Sequence, residues 1–317
     1  MDLYSPSQLL NANQAFLKIR EAVKARTPFS FIRIGDGEGV LLSLSERSWI
    51  QDIEYLSSHF GSTEVTFGDL LRLRDSLRQV LNDANLLGIR EDILSCRLEP
   101  ELVFGSSESL EREVKARFAL RHVDRHLPTA GCRRLALTNL ALAELNPSPN
   151  SSFTSAWAHW DFLLSGDLYR LLRTQRVIGL ITCHGSVAAL IETLFPLRVV
   201  QYQVPDMFAS AEAKIPGAHF PQRFERLRSE LHVDRPGMVF LVGAGICGKV
   251  YCHWIKERGG IALDMGSVLD TWIGIASRPA VMAHKFPEVK GGEVPPELLL
   301  NRHAIDRLCG KDKDDAS

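Results

Sequence analysis

The stretch GMVFLVGAGICGKVYCHWIKERGGIALDMG, residues 237–266, decides the fold. GMVFLVGAG (237–245) is apolar and reads as a buried strand. CGKVYCHWIKERGG (247–260) follows with helical spacing and ends on two glycines, a helix stop. IALDMG (261–266) is a second strand. Strand, helix and strand in this order make a βαβ unit, whose strands lie parallel under a covering helix.

The same alternation runs upstream. RVIGLITC (176–183) is a strand, GSVAALIETLF (185–195) a helix, RVVQYQVP (198–205) a strand and FPQRFERLRSELH (220–232) a helix. Near the N-terminus, residues 5–26 carry Leu9, Leu10, Ala15, Phe16, Ile19 and Val23 at helical spacing, and Thr27-Pro28 ends that helix. FSFIRIG (29–35) is then a strand that opens into GDGEG. Residues 37–145 read as mostly helical, with loops near Gly61, Gly68 and Gly105 and a charged amphipathic helix over 108–127. The expected class is α/β: a mostly parallel sheet with Rossmann-like strand–helix alternation and a helical insertion in the N-terminal half. NPSPNSS (146–152) is the clearest break. It divides a 1–150 part, holding the first strand, its acidic turn and the helical region, from a Rossmann-like half over 151–310. The tail 311–317 is expected to be disordered, and the two parts can together form one compact domain.

Composition narrows the function. Among 317 residues, 37 Lys+Arg against 38 Asp+Glu give a net charge of −1, so no basic excess points to nucleic acid. No leader is expected from the opening residues MDLYSPSQLLNANQ, no apolar run of membrane-spanning length occurs in the sequence, and the six cysteines form no C-x-x-C. A reduced, cytoplasmic setting is expected.

Three turns follow strands at the edge where open α/β sheets bind ligands. The first is Arg33-Ile34-Gly35-Asp36-Gly37-Glu38-Gly39. Asp36 and Glu38, one residue apart, are hard oxygen ligands able to share Mn²⁺ or Mg²⁺, and Arg33 can meet phosphate oxygens as a fork. A helix-capping Asp36 paired with Arg33 is the plain alternative. The second turn, Thr182-Cys183-His184-Gly185-Ser186, precedes a helix N-terminus that attracts anions; Ser186 can equally be a simple cap. Cys183 and His184 are adjacent and point in different directions, which argues against a nucleophile pair. The third, Gly243-Ala244-Gly245-Ile246-Cys247-Gly248, is a literal G-x-G-x-x-G, and Asp264 ends the next strand. A complete dinucleotide fold needs further strand–helix units after Asp264, and the remaining residues are too few and too rich in Gly and Pro. The turn therefore reads as facing a phosphate or nucleotide, with Lys249 in reach of it. His122 and His126 stand four apart without a third metal ligand. Trp157, Trp160 and Phe162 read as core or interface. His219 is a candidate general base in a loop.

FIRIGDGEG together with VGAGICGKVYCHWIKERGGIALDMGSVLDTWIG resembles the GT-D-type glycosyltransferases of bacteria. That family's pattern has a strand ending in R-x-G-D-G-E and a later strand–glycine turn–helix–strand unit finishing in D-x-G. The matching positions are Arg33, Gly35, Asp36, Gly37 and Glu38, then Gly243, Gly245, Lys249, Asp264 and Gly266. The family's turn usually reads G-P/A-T-A where this chain has G-A-G-I-C-G. The resemblance implies a metal-dependent glycosyltransferase that moves a sugar from a nucleotide diphosphate donor, uridine-linked by expectation, in surface glycan or polysaccharide synthesis. Asp36 and Glu38 would hold Mn²⁺ or Mg²⁺ at the donor, with Arg33, Lys249 and helix N-termini neutralising the diphosphate. Glu38 or His219 would serve as base. The acceptor would be a lipid- or protein-linked glycan, which admits peripheral membrane contact, and self-association is left open. Two other readings compete: an NAD(P)-dependent oxidoreductase built on Gly243, Gly245, Gly248 and Asp264, and a non-catalytic nucleotide-binding module.

Overall fold

The computed structural model describes residues 8–46, 48, 50–60, 65–95, 98–106, 108–113, 129–206, 215, 217–277 and 293–310. Among the described residues seven strands form one all-parallel sheet: β1 (Phe29–Ile34), β2 (Leu86–Ile89), β3 (Ser152–Ser155), β4 (Val177–Thr182), β5 (Arg198–Gln203), β6 (Val239–Gly243) and β7 (Ile261–Asp264), in the order β3-β2-β1-β7-β6-β4-β5. The alternation read from residues 176–266 therefore stands, each strand falling within its expected span. The 146–152 break leads directly into β3, and strands from either side of it pair in the one sheet.

Period-two burial sends alternate side chains of each strand into two separate cores. Phe29 and Phe31 of β1 meet α1 (Ala12–Ala25) through Phe16 and Ile19, together with Val239, Leu241 and Leu263. Ile32 and Ile34 enter the opposite core. There they join α2 (Asp36–Leu42), α3 (Ile50–Ser58), α4 (Phe67–Asp83) and α5 (Thr129–Glu144). α1 starts at a capping box in which the Asn11 side chain accepts from the Gln14 N–H and Gln14 returns the bond.

The remaining elements show where crossovers change face. α6 (Ser186–Leu194), between β4 and β5, packs into the α1 core through Val187 and Ile191. α7 (Phe224–Glu230) and α8 (Gly245–Glu257), flanking β6, pack into the other. α9 (Ser267–Trp272) follows β7. Neighbouring β4 and β6 thus send their following helices to opposite faces. That opens a crevice at their carboxyl ends, the usual ligand position in doubly wound sheets.

Three expectations need correction. Residues 37–145 are not all helix and loop: β2 lies within them, a four-residue apolar run too short for periodicity to identify. The 220–232 helix begins only at Phe224, after a π-helical turn over His219–Arg223 that contains a cis Phe220–Pro221 bond. The 247–260 helix starts at Gly245 and stops at Glu257. Of the 108–127 helix only 108–113 falls among the described residues; His122, His126 and the 311–317 tail lie outside them.

Candidate functional site at the carboxyl rim of the sheet

β1 and β7 are neighbours, so Arg33 and Asp264, 231 residues apart in sequence, meet at the rim. Asp264 accepts from the Arg33 backbone N–H at 3.1 Å and from its Nη2 at 3.0 Å, while Arg33 Nε donates to the Asp264 carbonyl at 2.9 Å. The guanidinium lies across Gly266, where φ is +46° and an added Cβ would sit 2.0 Å from Nη2. The D-x-G pair is thereby explained: the acid grips the arginine and the glycine leaves room for it. On its other side Arg33 Nη1 lies 2.9 Å from His159 Nε2, a fully buried histidine with no signal in the sequence.

Lys249 turns inward from α8. Its Nζ is 2.7 Å from Asp264 Oδ2 and 3.2 Å from Glu38 Oε1. Glu38 Oε2 accepts the Gly35 N–H at 2.8 Å. All three side chains are buried. Burial alone would raise the Asp264 carboxyl, but Arg33 and Lys249 outweigh it and hold it below its ordinary value. Burial alone would likewise lower Lys249, and Asp264 and Glu38 reverse that and raise it. Arg33, Lys249, Glu38 and Asp264 form a closed network of two cations and two carboxylates.

Asp36 stands outside this network, with about a third of its side chain exposed. Arg90 Nη1 lies 3.6 Å from it, Arg134 Nε 3.4 Å, and the Tyr55 hydroxyl 3.4 Å. Arg134 also lies over the Tyr55 ring at 4.5 Å, and burial with the Asp36 charge pushes the Tyr55 phenol up. Arg90 follows β2 directly, is anchored by Asp92, and lies 5.5 Å over the Trp157 ring. Trp157 is half-buried at the rim, whereas Trp160 and Phe162 are core, as read from the sequence.

Across the β4/β6 crevice, Gly185 caps α6 without a side chain, and the Ser186 hydroxyl is buried without a hydrogen-bond partner instead of capping the helix. His184 is buried and its Nε2 lies 2.9 Å from Asp270 Oδ1. Asp270 also accepts from Ser277. Burial would lower this imidazole, but Asp270 and Cys183 outweigh it and raise it from 6.5 to about 10. A histidine raised on folding stabilises most fully below its unfolded value and loses that contribution as pH rises through the folded one. The melting temperature should therefore fall between pH 6.5 and about 10, and Asp270→Asn should flatten that slope. Thermal melts across the range check it.

Several expected site residues are engaged in packing or in ion pairs. Gly243 and Gly248 serve packing: a Cβ on Gly243 would sit 2.8 Å from Leu269 Cδ1, and one on Gly248 3.3 Å from Ala244 Cβ and Val242 Cγ1. Gly245, at φ +53°, starts α8. Asp264 and Lys249 are spent on the network, so neither reaches a ribose or phosphate as they stand. His219 is sealed in the core, with Nε2 2.8 Å from the Tyr251 hydroxyl. Burial, aided by Arg223, lowers it to about 3. The expectation that Asp36 and Glu38 share a cation meets a poor donor set: both Glu38 oxygens are taken, and Asp36 faces two arginines. Among the described residues no three His, Cys, Asp or Glu side chains group to hold a metal ion. A cavity of about 370 Å³ between α4, α7 and α8, lined by Arg72, Phe220, His253 and Trp254 among others, contains none of the rim residues.

Residues 10–116, which include β1, α2, β2 and the D-G-E turn, match the GT-D-like family model, described as a GT-D fold-like domain. The match spans about the first third of the chain. No curated protein matches it. Among solved structures, one described as a selenomethionine-substituted domain of unknown function 1792 is 13% identical, at a TM-score of 0.48, with 84% of this chain and 81% of that one covered. Another, described as that domain with "a distinct glycosyltransferase fold", is 14% identical at 0.46, covering 82% and 78%. A third, "A New Glycosyltransferase (DUF1792) from Streptococcus sanguinis", is 14% identical at 0.46, covering 84% of each.

Proposed function

We propose that this chain is a glycosyltransferase that moves a sugar from a nucleoside diphosphate donor to a hydroxyl of a glycan acceptor. The observation that carries the reading is Asp36, a partly exposed carboxylate held between Arg90 and Arg134, at the carboxyl rim within the GT-D-like domain. From β4 to β1 the rim crosses three strand spacings, ~14 Å at ~4.8 Å each, room for an extended nucleotide sugar. Arg90 and Arg134 meet the diphosphate, whose negative charge grows as the sugar leaves. The acceptor oxygen bonds to the anomeric carbon, the diphosphate departs with the electron pair of the broken bond, and Asp36 receives the acceptor proton. The buried network fixes the backbone from Gly35 to Glu38 and so aims Asp36.

A uridine-linked donor and a lipid- or protein-linked acceptor in surface glycan synthesis are the finer parts of this reading, and they rest on the resemblance. Among the described residues no helix is long and apolar enough to cross a membrane. The oxidoreductase alternative loses its ribose-binding acid, because Asp264 is held by Arg33 and Lys249.

A panel of nucleotide sugars, assayed for release of nucleoside diphosphate, tests the proposal. Asp36→Asn should lower turnover on the active donor by ~10²-fold or more, the usual scale for a general base. Undiminished turnover in that variant removes Asp36 from the chemistry. Nucleotide binding without turnover of any donor would favour a non-catalytic module.

A further inference from the structure

Paired carboxylates at a strand end commonly hold the divalent cation that neutralises a diphosphate, and D-G-E invites that reading. We propose that in this chain the Lys249 ammonium permanently occupies the cation seat between Glu38 and Asp264, so that nucleoside diphosphates bind at the rim without Mn²⁺ or Mg²⁺ on Glu38. The proposal rests on the nucleotide-binding part of the reading above.

Three observations converge. Lys249 Nζ lies 2.7 Å from Asp264 and 3.2 Å from Glu38, so one buried cation bridges two carboxylates from separate elements, as a metal would. The remaining Glu38 oxygen is held by the Gly35 N–H at 2.8 Å, and the remaining Asp264 oxygen by Arg33 at 3.0 Å. Every oxygen of the two acids thus already faces a donor, so a metal ion there would have to displace the ammonium or share its oxygens with these donors. The network also balances two positive charges against two negative ones. A doubly charged ion entering it would face Lys249 and Arg33 with no compensating anion. Lys249 is only 5% exposed and its carboxylate partners keep it protonated, so it neither swings out nor yields the seat as a neutral amine. Asp36 is the more exposed acid, and Arg90 and Arg134 beside it repel a cation there and attract a phosphate.

The test uses the full chain, with UDP as probe in calorimetry and Mn²⁺ alone in electron paramagnetic resonance. UDP should bind in EDTA at least as tightly as in Mn²⁺, and Mn²⁺ mixed with the protein should keep its free-ion signal. Lys249→Met vacates the seat and leaves Glu38 and Asp264 facing each other. It should bind stoichiometric Mn²⁺ at least about tenfold more tightly than the wild type, and Glu38→Gln added to it should abolish that gain. Two results overturn the proposal: Mn²⁺ bound by the wild type and lost in Glu38→Gln, or a folded Lys249→Met that binds no Mn²⁺. Should Lys249→Met fail to fold, the wild-type measurements decide alone. Absence of UDP binding in both conditions would sink the nucleotide reading, while the resonance experiment still settles who holds the seat.

Discussion

Asp264→Ala is expected to cost the folded state about 3–5 kcal/mol in a urea titration, the range for removing one partner of a buried ion pair. The carboxylate is 2% exposed and accepts from the Arg33 backbone N–H, the Arg33 guanidinium and the Lys249 ammonium. Alanine leaves two buried cations against Glu38 alone and strips a strand N–H of its acceptor. The loss should also depend on pH with a definite sign. A carboxyl lowered on folding stabilises above its unfolded value of 3.8 and ceases to as pH falls through the folded one. Wild type should therefore lose part of its advantage over Asp264→Ala in strong acid. An Asp264→Ala chain as stable as wild type at neutral pH would show that the acid is not structurally committed. It would also return Asp264 to the ribose-binding role that the oxidoreductase reading needs.

The rim was legible in the sequence only where a strand announced it. Arg33, Asp36, Glu38 and Asp264 were found because β1 and β7 are continuous apolar runs ending in polar turns, so their carboxyl ends could be located by reading alone. Arg90 was not found, because β2 is Leu86–Ile89, four residues between helical segments, and without that strand its position at the rim has no meaning. Arg134 and Tyr55 sit on helices with no motif around them, and only the packing of α3 and α5 brings both to Asp36. Sequence order also hid the sign of Lys249. Its place near the start of the 247–260 helix read from the sequence points to a side chain reaching out to phosphate, and nothing local shows that Glu38 and Asp264 draw it inward. The glycines misled in a similar way. A G-x-G-x-x-G between strand and helix satisfies a dinucleotide pattern, yet a side chain at Gly243 would press on Leu269 and one at Gly248 on Ala244 and Val242.

Gly39→Ala should unfold the D-G-E region rather than improve its helix. Propensity favours alanine by about 1 kcal/mol in a helix interior, and α2 is a helix. Packing decides against it. A Cβ on Gly39 would lie 1.8 Å from Thr138 Oγ1, 2.3 Å from Thr138 Cβ and 2.5 Å from its Cα. The last of these is backbone and cannot rotate away, so α2 and α5 must separate. Overpacking usually costs about 1–3 kcal/mol, and a clash with main chain belongs at or above the top of that range. Thr138→Gly in the same chain removes the first two contacts and leaves the third, so it should restore part of the lost stability and not all. The consequence for chemistry follows from what the two helices carry. Asp36 is the first residue of α2, and Arg134 precedes Thr138 by one turn of α5, where its carbonyl accepts the Thr138 hydroxyl at 2.7 Å. Parting the helices pulls Asp36 from Arg134, now 3.4 Å away, so donor turnover should fall further than the folded fraction does. Melts and turnover measured on the same Gly39→Ala preparation separate the two effects. A variant that melts at or above the wild-type temperature would show that α2 and α5 do not approach this closely.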